Sequence, residues 1–291
     1  MKKHIDLLVK YDESLVVNHS WGQSPESVYS QVASVWKKAK VGDAIAIVSR
    51  KKHGFPRVRD YLVTKNLQPK TVGKGPDGLR IMEVIKSGSH ALAIDEALNK
   101  VEFEFHGKSF QADVGAALFS RKGLDRGTRH LLDYIIDSRL ALNSSCVSDL
   151  GAGWGAIGLV LSNFYDDLTI DMYENDAASL SATQTNLGTH QNYRYHLADI
   201  TSEKALKDLA AKGANDYIVC NPPFHLSKQQ RESLFRFANA LLKPGGELIF
   251  VVEQHFADRF YDSAIKYLKL IKQSEHKNFT VDHFIKDGKL T

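Results

Sequence analysis

The tetrapeptide Asn221-Pro222-Pro223-Phe224 follows an apolar run that ends at Cys220, and its residue types are suited to binding a planar amino group. The side-chain oxygen of Asn221 and the backbone carbonyl of Pro222 form a rigid pair of acceptors, because the prolines restrict the backbone. Two such acceptors bind both hydrogens of an amino group and direct its nitrogen lone pair to one side. Phe224 offers an aromatic face on which a base can stack. The tetrapeptide therefore predicts a site that presents an amino nitrogen as a nucleophile, and the alternative is a proline-rich turn.

A glycine-rich segment, Asp149 to Gly155, follows a predicted strand and opens a helix. Gly151, Gly153 and Gly155 let the backbone turn sharply and approach a ligand closely. The glycine spacing differs from that of a dinucleotide site, and an acid at the strand end would repel a pyrophosphate. The same acid suits the positively charged amino group of S-adenosylmethionine. The segment therefore favours this cofactor over NAD, with a tight structural turn as the alternative.

Two further acids end the next two predicted strands. Glu174 can accept hydrogen bonds from both ribose hydroxyls of an adenosine, a need that NAD and S-adenosylmethionine share. Asp199 can accept a hydrogen bond from the amino group of an adenine. Together these acids predict an adenosine-containing cofactor without choosing between the two.

The combination of Asp149 to Gly155 with Asn221 to Phe224 resembles the class I amino-methyltransferases. The segment 119–128 is similar to the corresponding segment of the bacterial ribosomal RNA guanine methyltransferases of the "methyltransferase small domain" family, as is Asn221 to His225. The resemblance covers about residue 100 to the end of the chain. It extends more faintly to the N-terminal unit, where family members carry a degenerate methyltransferase-like domain.

The resemblance implies transfer of a methyl group from S-adenosylmethionine to the exocyclic 2-amino group of a guanine in ribosomal RNA. No metal site is expected. The residues expected to act in catalysis are Asn221, Pro222 and Phe224. The residues expected to bind the cofactor are Asp149, Gly151, Gly153, Gly155, Glu174, Asp199 and Asn221. The residues expected to bind the substrate are Phe119, Arg121, Arg126 and His225, with a solvated helix start as the alternative for the arginines.

The elements that position these residues alternate regularly from about residue 128. Thr128 is predicted to cap a helix, and Pro244 to Gly246 to end another and turn into a strand. Residues 270–285 carry two strand-like segments that suit antiparallel pairing. Five other strands are predicted, at 146–150, 168–173, 193–197, 217–220 and 247–252. The pattern predicts an α/β fold, with a doubly wound, seven-stranded, mainly parallel Rossmann-like sheet that binds ligands at its carboxyl edge.

Residues 1–88 predict a smaller α/β domain, and residues 89–291 the methyltransferase domain. Ser24 and Pro25 suit a helix start. Strands are predicted at 43–48 and 79–85, with a helix at 56–67 between them, in a βαβαβ-like pattern. Alternating apolar residues from Val101 predict a β-hairpin at the start of the second domain. We expect the small domain to position RNA or to be degenerate and methyltransferase-like.

Composition excludes some classes of protein. The chain has 291 residues, of which 43% are hydrophobic and 25% charged, and its net charge of +4 permits a polyanionic partner without demanding one. Basic residues cluster at 37–40, 50–59 and 121–129, where a solvated face is the alternative to RNA binding. No apolar stretch approaches the roughly 20 residues that cross a bilayer, so we expect a cytoplasmic protein. Cys146 and Cys220 predict buried thiols and no metal site.

Other activities remain open on the residues alone. The same tetrapeptide also serves adenine amino groups in DNA and glutamine amides in proteins, and other RNA is a further possible acceptor. A non-catalytic RNA-binding relative would be expected to lose the tetrapeptide or the glycine loop, and this chain has both. An NAD-dependent oxidoreductase shares the fold but has no use for the tetrapeptide. We expect ribosomal RNA or a ribosomal subunit as partner, and the sequence does not specify the oligomeric state.

Overall fold

The computed structural model of the chain describes residues 11–19, 25–92, 100–114, 123–209 and 214–288. Contacts between Cα atoms divide the chain into two compact units. The first comprises Met1–Lys100 and Val114–Arg121, and the second comprises Val101–Asp113 and Lys122–Thr291.

The first unit has a four-stranded sheet in the order β1-β2-β4-β3. β1 is parallel to β2, whereas β4 is antiparallel to both β2 and β3. The described residues of the unit also form two α-helices, α1 between β1 and β2 and α2 between β2 and β3. The bounds are β1 Val16–Asn18, α1 Pro25–Lys38, β2 Ala44–Arg50, α2 Phe55–Thr64, β3 Lys70–Lys74 and β4 Leu79–Ile85.

Apolar spacing explains what the sequence predicted of this unit. Val28, Val32 and Trp36 recur at helical intervals in α1 and are buried, and the predicted strand at 79–85 is confirmed as β4. Ser24, predicted as the helix cap, lies outside the described residues. The observed order β1-α1-β2-α2-β3-β4 contains the predicted βαβαβ-like pattern, but the sequence patterns located neither β1 nor β3 and did not predict that the unit ends in an antiparallel pair. β1 is only three residues long and β3 is mostly exposed, so neither carries a clear apolar pattern.

A buried lysine ties the end of β4 to α1. Lys86 is 7% exposed, and its Nζ donates to the carbonyl oxygens of Trp36 and Ala39, each at 2.7 Å. The backbone N–H of Gly42 donates to the carbonyl of Lys86 at 2.9 Å. Carbonyls at a helix C-terminus lack partners within the helix, so Lys86 supplies the missing donors there.

The second unit has a seven-stranded sheet in the order β12-β13-β11-β10-β7-β8-β9 and a separate two-stranded sheet of β5 and β6. β7 to β11 are parallel to one another, and β13 is antiparallel to β11 and β12. The strands are β5 Lys100–Phe105, β6 Lys108–Asp113, β7 Cys146–Leu150, β8 Thr169–Glu174, β9 Tyr193–Leu197, β10 Asn215–Cys220, β11 Leu242–Glu253, β12 Lys269–His276 and β13 Phe279–Ile285. The helices are α3 Arg126–Asp137, α4 Ala156–Phe164, α5 Ala177–Leu187, α6 Glu203–Leu209, α7 Lys228–Leu241 and α8 Ala257–Ala264.

This architecture confirms the predicted doubly wound α/β fold, including the hairpin and the antiparallel pair at the end of the chain. Apolar side chains on the two faces of the sheet form two buried clusters. One cluster packs against α3, α4 and the β5–β6 hairpin, and the other packs against α7 and α8. Burial of both faces explains why β10 and β11 carry nearly continuous apolar runs, at 217–220 and 248–252.

Two local predictions were wrong. Thr128 does not cap α3; the cap is Asp125, whose carboxylate accepts the backbone N–H of Thr128 at 3.1 Å, and the helix begins at Arg126. The residues Pro244 to Gly246 do not separate α7 from the next strand, because β11 already begins at Leu242. The β10–β11 pairing shifts register at this point, so the glycines lie in an irregular stretch of the strand.

A second lysine ties the end of β13 to α7. Lys286 Nζ donates to the carbonyl oxygens of Asn239 at 2.7 Å and Leu242 at 2.6 Å. The backbone N–H of Gly245 donates to the carbonyl of Lys286 at 3.0 Å. These are the same three interactions that Lys86 makes in the first unit.

The carboxyl ends of the parallel strands point to one edge of the sheet. β8 and β9 lie on one side of β7, and β10 and β11 lie on the other. The loops that follow β7 and β10 therefore diverge and leave a crevice between them, the usual ligand site in such sheets. The glycine segment follows β7, and the tetrapeptide that begins at Asn221 follows β10.

Candidate functional site

The glycine loop between β7 and α4 has a backbone conformation that favours glycine. The φ angle is +85° at Gly151, +60° at Gly153 and +85° at Gly155. A Cβ at Gly155 would lie 2.7 Å from Cδ1 of Leu187, whereas a Cβ at either of the other two would meet no atom within 4 Å. Gly155 is therefore required for packing, and the first two glycines leave an open backbone face that a ligand can approach.

Asp149 in β7 carries a buried carboxyl group that has no hydrogen-bond partner among the described residues. Its exposure is 0%, and neither side-chain oxygen makes a hydrogen bond of normal geometry with the described residues. Burial, and next the charge of Glu174, raise the pKa of Asp149 to about 8, while the backbone N–H of Gly158 acts in the opposite direction. Uncompensated buried carboxyl groups are costly and call for an explanation. A ligand's positively charged amino group would supply the compensation.

The two acids at the ends of β8 and β9 have different surroundings. Glu174 Oε2 accepts the backbone N–H of Gly153 at 2.9 Å, which holds the glycine loop against the strand end. Its Oε1 accepts the N–H groups of Asn175 and Asp176, and each oxygen keeps capacity for a further donor. Asp199 is exposed, and its Oδ1 accepts the N–H and hydroxyl of Thr201 at 2.9 and 2.6 Å. Both carboxylates lie at the same sheet edge as the glycine loop.

The side chain of Asn221 is held from one end. Its Nδ2 donates to Asp125 Oδ2 at 3.0 Å and to Thr128 Oγ1 at 2.9 Å. A carboxylate can only accept, so the amide nitrogen must face Asp125 and the amide oxygen must face away. That oxygen accepts no hydrogen bond from the part of the chain that the structure describes. It is therefore available to a ligand.

Gly127, at the second position of α3, lets the helix start approach Asn221. A Cβ there would lie 3.1 Å from Asp125 Oδ2, 3.2 Å from Phe279 Cε1 and 3.5 Å from Asn221 Nδ2. The first of these distances is too short for the neighbouring atoms to stay where they are. The glycine thus makes room for the hydrogen bonds that orient the amide.

The rest of the tetrapeptide contributes an acceptor and an aromatic ring. Pro222 is buried, and its carbonyl oxygen accepts no hydrogen bond from the described residues. The half-buried ring of Phe224 stacks on Phe256, with centroids 5.2 Å apart and planes 17° from parallel. Phe256, which follows β11, therefore supports one face of Phe224 and sets its orientation.

These residues fit S-adenosylmethionine. The uncompensated carboxyl group of Asp149 suits the amino group of its amino-acid part. The open faces of Gly151 and Gly153 permit close approach to the backbone, and Glu174 retains capacity for the ribose hydroxyls. Asp199 follows the end of the neighbouring strand β9, so its carboxylate lies at the same edge of the sheet.

The structure gives a partial view of the predicted substrate residues. Phe119 and Arg121 lie outside the described residues. Arg126 is exposed at the first position of α3, and His225 is exposed with its ring 5.9 Å from Phe224. Arg129, from the same basic cluster, is used elsewhere, because its Nη2 donates to the carbonyl of Glu104 in the β5–β6 hairpin at 2.8 Å.

The sequence did not reveal the roles of Asp125 and Phe256. Asp125 had a usable signal, since an acid three residues before Thr128 is typical of a helix cap. Its contact with Asn221 depends on the packing of α3 beside β10. Phe256 had no signal, since its contact with Phe224 joins segments that meet only in the folded sheet.

Comparison with known proteins agrees with this geometry. The family model for the methyltransferase small domain matches residues 110–281, more than half of the chain. The chain belongs to this family. Membership confirms the predicted methyltransferase class, with S-adenosylmethionine as its cofactor.

Several curated relatives are ribosomal RNA large subunit methyltransferase G. The protein from Stutzerimonas stutzeri is 35% identical over 148 residues, which is 48% of this chain and 37% of that protein. The protein from Pseudoalteromonas translucida is 25% identical over 159 residues, 53% of this chain and 41% of that protein. The matches thus span about two fifths of the length of these relatives.

A solved structure shares the fold over most of the chain. It is the T. thermophilus 16S rRNA N2 G1207 methyltransferase (RsmC) in complex with AdoMet and guanosine, with a TM-score of 0.69. Sequence identity is 19%, and the match covers 93% of this chain and 72% of that chain. In the part of the chain that the structure describes, no helix is long and apolar enough to cross a bilayer.

Proposed function

We propose that this protein transfers a methyl group from S-adenosylmethionine to the 2-amino group of a guanine in ribosomal RNA. The observation that carries the proposal is the state of Asn221. Its amide nitrogen is taken by Asp125 and Thr128, which leaves the amide oxygen beside the Pro222 carbonyl to accept hydrogens of an amino group.

The chain's own residues prepare the nitrogen for attack. Asn221 and Pro222 each accept one amino hydrogen, which turns the lone pair away from the ring plane of the base. The support of Phe224 by Phe256 holds a surface against which the base can stack. When bound, S-adenosylmethionine supplies a sulfonium-activated methyl group, so no strong base is required before attack. The amine loses a proton after it has become acidic through methylation.

The choice of guanine and of ribosomal RNA is supported by the relatives. The curated relatives are named as ribosomal RNA methyltransferases, and the structural neighbour is named as an enzyme of guanine N2 that was solved with guanosine. The 2-amino group of a paired guanine takes part in base pairing, so the target must be unpaired or flipped out of its helix.

The first test is tritiated methyl transfer from S-adenosylmethionine to total RNA from cells that lack this protein, followed by nucleoside analysis. We expect label in guanosine methylated on its 2-amino group, and far slower labelling with the Asn221→Ala variant. Label in another nucleoside would refute the choice of guanine.

Two other outcomes would refute larger parts of the proposal. Intact cofactor binding with no label in RNA would direct the search to DNA adenine or protein glutamine as the acceptor. No binding of S-adenosylmethionine at all would contradict an active enzyme and would favour a non-catalytic RNA-binding relative.

A further inference from the structure

Two histidines from different elements meet beside the start of α3. His130 lies in α3 and is half-buried, and His276 is the exposed last residue of β12. Their ring centroids are 4.5 Å apart. Neither histidine was singled out by sequence patterns, because they come together only when the β12–β13 hairpin packs against α3.

Two cations flank this histidine pair. Arg126 lies one helical turn before His130, and Lys277 follows His276 in the turn between β12 and β13. Both side chains are exposed, and neither forms a hydrogen bond or ion pair with another described residue. The nearby acid, Asp133 of α3, is engaged by His106 Nε2 at 3.0 Å. The cluster therefore has an excess of donors.

The charges of the cluster oppose protonation of His130. Burial, and then His276, Lys277 and Arg126, lower the pKa of His130, while Asp133 acts in the opposite direction. Burial and these charges thus disfavour the protonated form of His130 in the free protein. An anion among the four side chains would reverse this balance and favour the protonated ring.

The cluster is close to the tetrapeptide. The ring centroid of His130 lies 5.3 Å from that of Phe279, the first residue of β13. Phe279 Cε1 lies 3.2 Å from the Cβ position of Gly127, and Asn221 Nδ2 lies 3.5 Å from that same position. A single strand of RNA that places its base at Asn221 can therefore reach the histidine pair with its backbone.

We propose that His130, His276, Lys277 and Arg126 bind a phosphate group of the RNA backbone next to the target nucleotide. The inference rests on the proposed function. Phosphate suits the site because both histidines can donate once protonated, and because arginine and lysine are ordinary phosphate partners. A metal ion suits it less, since no three metal-binding residues of the His, Cys, Asp and Glu types come together in the described part of the chain.

Binding measurements with short RNAs that contain the target guanine test the proposal. Each RNA carries one neutral methylphosphonate in place of a phosphate, and the position of the substitution is varied along the strand. For the native protein we expect one position close to the target guanine to weaken binding roughly 10-fold, as loss of a charge-assisted hydrogen bond would. In the double variant His130→Gln, His276→Gln the same substitution should have no further effect, because the contact has already been lost.

Two single variants provide matched evidence on the hairpin. Lys277→Asn removes the charge at a position with φ of +53°, which asparagine tolerates well, so the fold should be kept while RNA affinity falls. Lys269→Asn removes an exposed charge at the opposite end of the same hairpin and should bind RNA as the native protein does. An equal loss in both variants would overturn the proposal.

The pH dependence of RNA affinity gives an independent result. Phosphate favours protonated His130, so binding takes up a proton and affinity should rise as pH falls from 8 to 6. The double histidine variant should lose this slope. The phosphate site would be contradicted if the RNA affinity of the double variant kept the pH dependence of the native protein. It would also be contradicted if every methylphosphonate weakened binding by the double variant as much as binding by the native protein. If the native protein methylates RNA and one of these contradicting results is found, the phosphate site is refuted but the proposed function stands. If the native protein neither binds nor methylates RNA, the proposed function itself is refuted.

Discussion

In the first unit β1, β2, β4 and β3 lie in the same order, and with the same parallel and antiparallel pairings, as β10, β11, β13 and β12 in the second. Lys86 and Lys286 also bind the ends of corresponding helices in the same way. Both units thus share a helix C-terminus that is bound by a lysine and a final pair of antiparallel strands. We infer that these features stabilise the fold and are not specific to a reaction.

The two units differ in what lies next to β1 in the first sheet and next to β10 in the second. β10 is flanked by β7, which leads into the glycine loop, whereas β1 is the edge strand among the described residues of its sheet. Val17 pairs with Ile47, and Cys220 pairs with Phe250. Ile47 lies as many positions after Gly42 as Phe250 lies after Gly245. Asn18 therefore occupies the place in the first unit that Asn221 occupies in the second.

The equivalent asparagines have different neighbours. Asn18 is followed by His19, which is buried and whose Nδ1 lies 2.7 Å from Ser49 Oγ. Asn221 is followed by Pro222 and is oriented by Asp125. An asparagine at the carboxyl end of β1 or β10 is thus insufficient for the proposed chemistry. That chemistry also requires the neighbouring glycine loop and a group that orients the side-chain amide.

The largest expected effect comes from removing each asparagine in turn. Asn221→Ala should lower the rate of methyl transfer roughly 100- to 1,000-fold, because it removes an acceptor aimed at the reacting group. The affinity for S-adenosylmethionine should stay near normal. Asn18→Ala should leave the rate unchanged. Single-turnover kinetics together with calorimetric cofactor binding check both, and an equal loss in the two variants would make the comparison between the units meaningless.

Replacement of the buried acid in β7 should affect the cofactor most. Asp149→Asn should weaken S-adenosylmethionine roughly 100-fold near pH 8, because a buried charge pair loses one partner. The native pKa of about 8 makes the free carboxyl group neutral at lower pH. A positively charged ligand favours the ionised form, so binding releases a proton and native affinity should rise from pH 6 to 7.5.

Calorimetry over this pH range measures that slope. The Asn variant should lack it, and it also controls for titration of the cofactor's own amino group, whose ordinary pKa is about 8. Identical slopes in the two proteins would remove Asp149 from the cofactor site.

A smaller effect is expected when the partner of the Asn221 amide is changed. Asp125→Asn should retain the helix cap, since asparagine caps as well as aspartate, but it no longer forces the amide nitrogen toward itself. The turnover rate should fall roughly 10-fold, in line with a weakened charge-assisted hydrogen bond, with cofactor affinity unchanged. NMR of the Asn221 side-chain amide would report the orientation directly. A normal rate with a disordered amide would show that orientation is unimportant.

The smallest effects should be equal in the two units. Lys86→Met and Lys286→Met each leave carbonyl groups at a helix end without donors, which costs about 1–2 kcal/mol per helix end. Urea unfolding followed by probes in each unit should show similar losses. If only one of the two variants lost stability, the two lysines would contribute differently to the free energy of unfolding in spite of their shared geometry.

The amino-acid sequence was sufficient to predict the α/β class and most strands and helices of the second unit. It also identified the acids, glycines and tetrapeptide as candidate site residues. These properties depend on local apolar spacing and on residues that lie next to one another in the chain. The same reasoning failed for β1 and β3, whose short or exposed segments carry little periodic signal.

The groups that orient Asn221, the ring that supports Phe224 and the contact between His130 and His276 are visible only in the folded protein. The tertiary structure also decided that Asp149 lacks a partner and that the two units share a strand order. Each of these facts depends on segments far apart in the chain, brought together by sheet pairing and helix packing. Local residue patterns do not encode such contacts, because the same side chains would be equally compatible with many other neighbours.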